Sequence, residues 1–130
     1  MHATLWIAVG SGIGGVARYW LMVLMERMFG DTFPWGTLAV NVSGSVLIGV
    51  FVVMVGADER VTDLTLSQQF IALGIFGGFT TFSAFSLQTL LLMQSGNWVS
   101  AGANIAVSVG ACLLGVWAGQ KLGLALALAL

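Results

Sequence analysis

Four long apolar stretches separated by short polar breaks organise this chain. Each is close to the roughly 20 residues that an α-helix needs to cross a bilayer core about 30 Å thick. The breaks carry turn-forming residues, with Gly30 and Pro34 in the first and Gly96 and Asn97 in the third. The pattern predicts one all-α membrane domain whose helices span residues 3–25, 35–55, 66–93 and 98–122.

The composition excludes several functional classes. Hydrophobic residues make up 58% of the chain and charged residues 7%, whereas soluble domains carry about 25% charged residues. Four Lys and Arg residues are too few for a nucleic-acid-binding surface. The single cysteine, Cys112, excludes a disulfide scaffold, and with His2 it is too little for a His/Cys metal site. The composition therefore favours an integral membrane protein. The sequence offers no nucleophile–base pair, so an enzyme is not expected.

Positive charge is spread almost evenly over the two sides of the predicted topology. No Lys or Arg precedes the first apolar stretch, which we interpret as a retained span and not a signal peptide. Arg60 and Lys121 fall on one side and Arg27 on the other, so the usual orienting bias is nearly absent. Either other context sets the orientation, or the chain inserts both ways, which would permit an antiparallel dimer. Small residues four apart, such as Gly10 and Gly14, predict close helix contacts within or between subunits.

Polar side chains inside membrane spans are candidates for function, because they are costly to bury. Arg18 lies in the first span with no acidic residue beside it, and it either extends to the membrane interface or borders a vestibule that attracts anions. Asn41 shares a helical face with Thr37 and Ser45. Its amide either bonds a neighbouring helix or offers two N–H donors to an anion. The residues alone leave both alternatives open.

The third span contains two glycines followed by two threonines, which are poor helix formers. Gly77, Gly78, Thr80 and Thr81 therefore predict a break of the helix at mid-membrane depth. Irregular backbone at that depth is tolerated where it is buried in protein or lines a cavity. In transporters, freed carbonyls bind sodium and freed amides bind anions.

Aromatic and hydroxyl side chains follow this break at helical spacing. Phe82 and Phe85 either pack in the core or present electropositive ring edges to an anion. Ser83 and Ser86 repeat the same spacing. A mildly polar stripe also runs along the fourth span, and it consists of Asn104, Ser108 and Cys112.

Taken together, these segments resemble the Fluc/CrcB family of fluoride channels over essentially the whole chain. The resemblance rests on three motifs: Gly14-Gly15-x-x-Arg18-Tyr19, Gly36-Thr37-Leu38-x-x-Asn41-x-x-Gly44 and Gly77-Gly78-Phe79-Thr80-Thr81-Phe82-Ser83-x-Phe85-Ser86. It implies a passive, fluoride-selective channel of the inner cell membrane that exports cytoplasmic fluoride and relieves its toxicity. It further implies an antiparallel, dual-topology homodimer with two pores, each built from both subunits.

The resemblance also implies roles for individual residues. The fluoride pore would be lined by Asn41, Phe82, Phe85, Thr37, Ser83, Ser86 and Ser108. Arg18 would lie in the vestibule, and a structural sodium ion (Na+) on the dimer axis would be held by the backbone carbonyls of Gly77 and Thr80. The fourth-span stripe departs from the family pattern, because Asn104 and Cys112 stand where hydroxyl side chains are common. Only Ser108 is therefore carried over from that stripe.

Two other functions remain open at this point. A small multidrug exporter would need a carboxylate within the membrane to exchange protons for drug. Glu26, the acid nearest the first span, lies at the polar end of that span beside Arg27. A non-transporting scaffold would use Asn41 and the glycines for packing alone, which leaves the interrupted third span unexplained.

Overall fold

The computed structural model describes residues 2–56 and 64–129, and all regular secondary structure in these ranges is helical. Its elements are α1 (His2–Phe29), α2 (Trp35–Val55), α3 (Leu66–Gln69), a π-helical segment (Phe70–Phe76), α4 (Gly77–Phe79), α5 (Phe82–Gln94) and α6 (Trp98–Ala129). Four helical runs in the described residues, α1, α2, Leu66–Gln94 and α6, are long and apolar enough to cross a membrane. The predicted all-α class with four apolar helices is confirmed. Arg60, which the predicted topology places on the same side as Lys121, lies outside the described residues.

The first helix extends further than the apolar pattern predicted. α1 continues past residue 25, through Glu26 and Arg27 to Phe29, and the chain turns at Gly30, whose φ is +77°. Charged residues that leave the apolar layer still form backbone hydrogen bonds, so the helix ends only where glycine adopts the left-handed conformation. α6 continues through the Leu-Ala tail to Ala129, as expected for a tail that extends the fourth span.

Glycines set the distance between packed helices within the chain. α2 packs along α6, where a Cβ on Gly49 would collide with the Val116 carbonyl and one on Gly119 with the Val46 carbonyl. α1 packs against the third helical run in the same way, since a Cβ on Gly14 would collide with a backbone carbonyl of the π-helical segment. Small residues of this kind allow helix backbones to approach closely. These small residues thus serve contacts within one protomer.

The third helical run begins at a capping box and then changes from an α-helix to a π-helix. The Thr65 Oγ1 atom accepts from the Gln68 backbone N–H, and the Thr65 backbone N–H donates to Gln68 Oε1 at 2.8 Å. The seven-residue π-helical segment follows, and the ring of Phe70 within it meets the Trp6 ring edge-on, with centroids 5.8 Å apart. π-Helical turns are rare and are frequent at functional sites. The π-helical segment is followed by the short α4 and then by an interruption of the helix before α5.

Candidate functional site: an interrupted helix beside an uncharged pocket

The helical backbone of the third run stops at Phe79 and resumes at Phe82. Thr80 and Thr81 between them are extended, with ψ angles of 157° and 111°. The Thr80 backbone N–H still donates to the Phe76 carbonyl at 3.0 Å, which completes the last helical turn. The Thr81 hydroxyl caps the next helix by accepting from a backbone N–H of α5. The two threonines thus form a two-residue gap in the helix, whose depth in a bilayer stays a prediction.

Asn41 of α2 supplies the hydrogen bonds that this gap removes. Its Nδ2 donates to the Thr81 carbonyl at 2.9 Å, and its Oδ1 accepts from the Thr81 N–H at 2.8 Å. In a continuous α-helix that N–H would donate to the Gly77 carbonyl, so the gap frees Gly77 O from its usual partner. The Asn41 amide has two hydrogens, and one remains after the bond to Thr81. The amide therefore bridges two helices and still has one N–H donor to offer.

Thr80 is fixed from two further sides. The guanidinium of the half-buried Arg18 donates from Nη1 to the Thr80 carbonyl at 3.4 Å. On the other side, a Cβ on Gly44 would collide with the Thr80 methyl group, so only glycine lets α2 lie this close. Arg18 therefore extends toward the gap and not toward the end of α1. Its role in a vestibule stays a prediction.

A pocket of about 510 Å³ lies beside the gap. The predicted site residues among those that line it are Asn41, Gly77, Thr80, Phe82, Phe85 and Ser108. The rings of Phe82 and Phe85 have centroids 5.2 Å apart and planes inclined by 46°. Phe82 is 75% exposed and Phe85 only 8%, so the pair runs from the protomer surface into its interior. None of the described residues that line this pocket is charged.

The hydroxyl groups around the pocket are already engaged within the protomer. Ser45 donates to the Asn41 carbonyl at 2.7 Å. Ser108 donates to Asn104 Oδ1 at 3.2 Å, which is long for an O–H···O bond, usually about 2.7–2.8 Å. The pocket therefore offers an incoming ion a small number of weak donors and no ionic charge.

Comparison with known proteins identifies the family. The family model described as "CrcB-like protein, Camphor Resistance (CrcB)" matches residues 5–120. The chain belongs to the CrcB family. A relative from Methylocella silvestris is 49% identical over 122 residues, which cover 94% of this chain and 93% of the relative. Relatives from Paramagnetospirillum magneticum (50% over 114 residues, 88% and 89% covered) and Rhodospirillum rubrum (49% over 116 residues, 89% and 90%) are similar. All three are named fluoride-specific ion channel FluC. The resemblance to the CrcB family is thereby confirmed.

Three predicted pore residues of this CrcB chain lie outside the pocket. Ser83 and Ser86 are exposed on α5, and the Ser86 hydroxyl donates to the Phe82 carbonyl at 2.9 Å. Thr37 is only 2% exposed and lines a second pocket of about 360 Å³ together with Gln88. Within the described residues, Thr37 Oγ1 and Gln88 Oε1 have no hydrogen-bond partner. Roles for these residues in fluoride passage stay predictions.

Two residues that hydrogen-bond to predicted candidates of this CrcB chain have no such contact predicted from the sequence. The sequence predicts Thr81 only as part of the helix break, whereas in the structure its backbone is the hydrogen-bond partner of Asn41. Thr89 has no role predicted from the sequence, although it is buried and accepts a 2.8 Å hydrogen bond from Asn104. The position of Thr89, four residues after Phe85 and so on the same helical face, was a signal that could have identified it.

Proposed function

We propose that this CrcB-family chain is a passive fluoride channel that exports cytoplasmic fluoride across the inner cell membrane. The observation that carries the proposal is the uncharged pocket beside the helix gap. One Asn41 N–H, the Ser108 hydroxyl and the Phe82 and Phe85 rings meet there. The names of the relatives support fluoride as the ion, and they do not favour a drug exporter or a scaffold.

The chemistry of the pocket suits a small, strongly hydrated anion. Fluoride gives up water only where other hydrogen-bond donors or positive edges replace it, and the pocket supplies an amide, a hydroxyl and two aromatic rings. Among its described lining residues there is no carboxylate to repel the ion and no cation to trap it. Conduction requires binding that is weak enough for release. The donors of this pocket carry partial positive charges and no full charge, so they can bind fluoride weakly enough to release it.

The working unit is a homodimer of antiparallel, dual-topology copies with two pores. One protomer leaves Phe82 75% exposed at the rim of the pocket, and this exposure supports a second copy that closes the pore wall. The near-even distribution of Lys and Arg over the two predicted sides supports insertion in both orientations. Each pore is then lined by residues of both copies.

A structural sodium ion on the dimer axis would be held by the carbonyl oxygens of Gly77 and Thr80 from the two copies. The helix gap supports this assignment, because Thr81 donates to Asn41 and not to Gly77. Thr80 O accepts from Arg18, but a carbonyl oxygen has two lone pairs, so one is left for a cation. The donor set therefore fits sodium, which would serve to join the two copies at their gaps.

The test is anion efflux from liposomes that contain the purified protein, with an ionophore to dissipate the membrane potential. We expect fast fluoride efflux without chloride efflux. Protein-free liposomes give the background. Absence of fluoride efflux from folded, reconstituted protein would refute the proposal, and equal efflux of both ions would refute the selectivity argued from the pocket.

A further inference from the structure

A chain of three buried side chains joins Phe85 to Ser108 inside the protomer. Thr89 donates from Oγ1 to the Phe85 carbonyl at 2.7 Å, Asn104 donates from Nδ2 to Thr89 Oγ1 at 2.8 Å, and Ser108 donates from Oγ to Asn104 Oδ1 at 3.2 Å. Thr89, Asn104 and Ser108 are 6%, 1% and 6% exposed. Phe85 and Ser108 line the pocket, whereas Thr89 and Asn104 do not. Thr89 and Asn104, which do not line the pocket, thus connect Phe85 and Ser108, which do.

The direction of every bond in this chain is fixed by its first member. A backbone carbonyl has no hydrogen to donate, so the Thr89 hydroxyl must give its hydrogen to Phe85 O. The Thr89 oxygen then accepts, which orients the Asn104 amide with Nδ2 toward Thr89 and Oδ1 toward Ser108. Ser108 consequently gives its one hydroxyl hydrogen to Asn104 and has no second hydrogen for the pocket. A fluoride ion in the pocket must compete with Asn104 Oδ1 for that hydrogen.

We propose that Asn104 and Thr89 are positioning residues that weaken the hold of Ser108 on fluoride. This inference rests on the proposed channel function. The Ser108–Asn104 bond is long and therefore weak, so an ion in the pocket can compete with Oδ1 for the hydroxyl hydrogen. Competition from Oδ1 lowers the affinity of the pocket and speeds release of the ion, which a channel needs. Asn104 acts without touching the ion, because it does not line the pocket.

The half-saturating fluoride concentration of efflux tests this proposal in Thr89→Val and Thr89→Ser. Valine keeps the shape of threonine but removes the acceptor for Asn104 Nδ2. The amide is then free to turn its N–H toward Ser108, whose hydrogen would turn to the pocket. We expect the half-saturating concentration to fall by about threefold to tenfold, the equivalent of roughly one hydrogen bond. Thr89→Ser keeps the hydroxyl and should stay within about twofold of the unmodified protein.

The same pair of variants separates this role from simple packing. If Thr89 only fills space, serine, which lacks the methyl group, should perturb efflux more than valine does. Asn104→Leu, made with and without Ser108→Ala, provides the second measurement and does not depend on how the Thr89 variants fold. It should lower the half-saturating concentration only where Ser108 is present.

Three results would overturn the proposal. One is an unchanged or raised half-saturating concentration in both Thr89→Val and Asn104→Leu. Another is an equal shift in Thr89→Ser, and the third is an effect of Asn104→Leu that persists without Ser108. If the unmodified protein itself carries no fluoride, the proposed function fails and this inference fails with it. If the protein carries fluoride but its variants all have the same half-saturating concentration, only the role proposed for Thr89 and Asn104 fails.

Discussion

Replacing Asn41 by aspartate tests both the bridge from its amide to Thr81 and the N–H donor that it offers to the pocket. An aspartate at position 41 still accepts from the Thr81 N–H but has no hydrogen for the Thr81 carbonyl, which lies 2.9 Å from Nδ2 in the unmodified protein. It also brings a negative charge into a pocket whose described lining residues are uncharged. We therefore expect Asn41→Asp to fold less stably and to lose fluoride efflux almost completely.

The two effects differ in size. Leaving the Thr81 carbonyl without its partner costs about 1–3 kcal/mol of folding stability. Two like charges about 4 Å apart, at an effective dielectric constant of about 20, repel each other by about 4 kcal/mol. Since about 1.4 kcal/mol corresponds to a factor of ten, fluoride entry should fall about a thousandfold. The loss of efflux should therefore exceed what partial unfolding alone explains.

Fluoride efflux from liposomes at pH 7 and thermal unfolding in detergent, measured on the same preparations, check this prediction. Asn41→Leu is the first control, because it removes both bonds to Thr81 without adding charge. Ser45→Ala is the second, because among the described residues the Ser45 hydroxyl donates to a carbonyl of its own helix and not to Thr81. Efflux through Asn41→Asp within tenfold of the unmodified protein would refute the place of Asn41 in the pore. Equal loss in the aspartate and leucine variants would assign the effect to the bridge and not to charge.

Three further predictions address sodium, packing and the aromatic pair. Arg18→Gln removes a positive charge beside a proposed sodium ligand, so half-maximal thermal stabilisation should need less sodium at constant ionic strength; unchanged sodium dependence would contradict this. Gly14→Ala pushes a Cβ into the Ile75 carbonyl, whereas Gly12→Ala meets nothing within 4 Å, so only the first should lower stability, by about 1–3 kcal/mol, as measured by unfolding. Phe82→Leu removes a ring edge from the pocket rim and should slow fluoride efflux without admitting chloride; unaltered fluoride efflux would exclude the ring from the pathway.

The helices of this protein were predictable because length and apolar content decide them locally. Four stretches long enough to cross a bilayer, with glycine and proline between them, leave few alternatives to four helices. Helix ends were less predictable. The apolar pattern ends near residue 25, but α1 continues to Phe29, since backbone hydrogen bonding does not depend on the apolar layer.

The contacts of the site were harder to predict, because they depend on how one helix is rotated against another. The sequence placed Asn41 and Ser45 on one face of α2, but not the Thr81 backbone opposite that face. The bond between Asn104 and Thr89 likewise joins two helices and has no local signature. The π-helical segment was equally hard to predict, because nothing in its residues distinguishes it from an ordinary apolar helix.

The geometry of the gap couples the fold of this protein to its pocket. Asn41 holds the Thr81 backbone with one amide hydrogen and with its carbonyl oxygen, and these two bonds fix the plane of the amide. The position of its second hydrogen, the one left for an ion, is therefore set by the gap and not by the Asn41 side chain alone. Gly44 enforces the same arrangement, because a larger residue would push α2 away from Thr80. A substitution that widens this contact should thus move the donor and weaken the fold together.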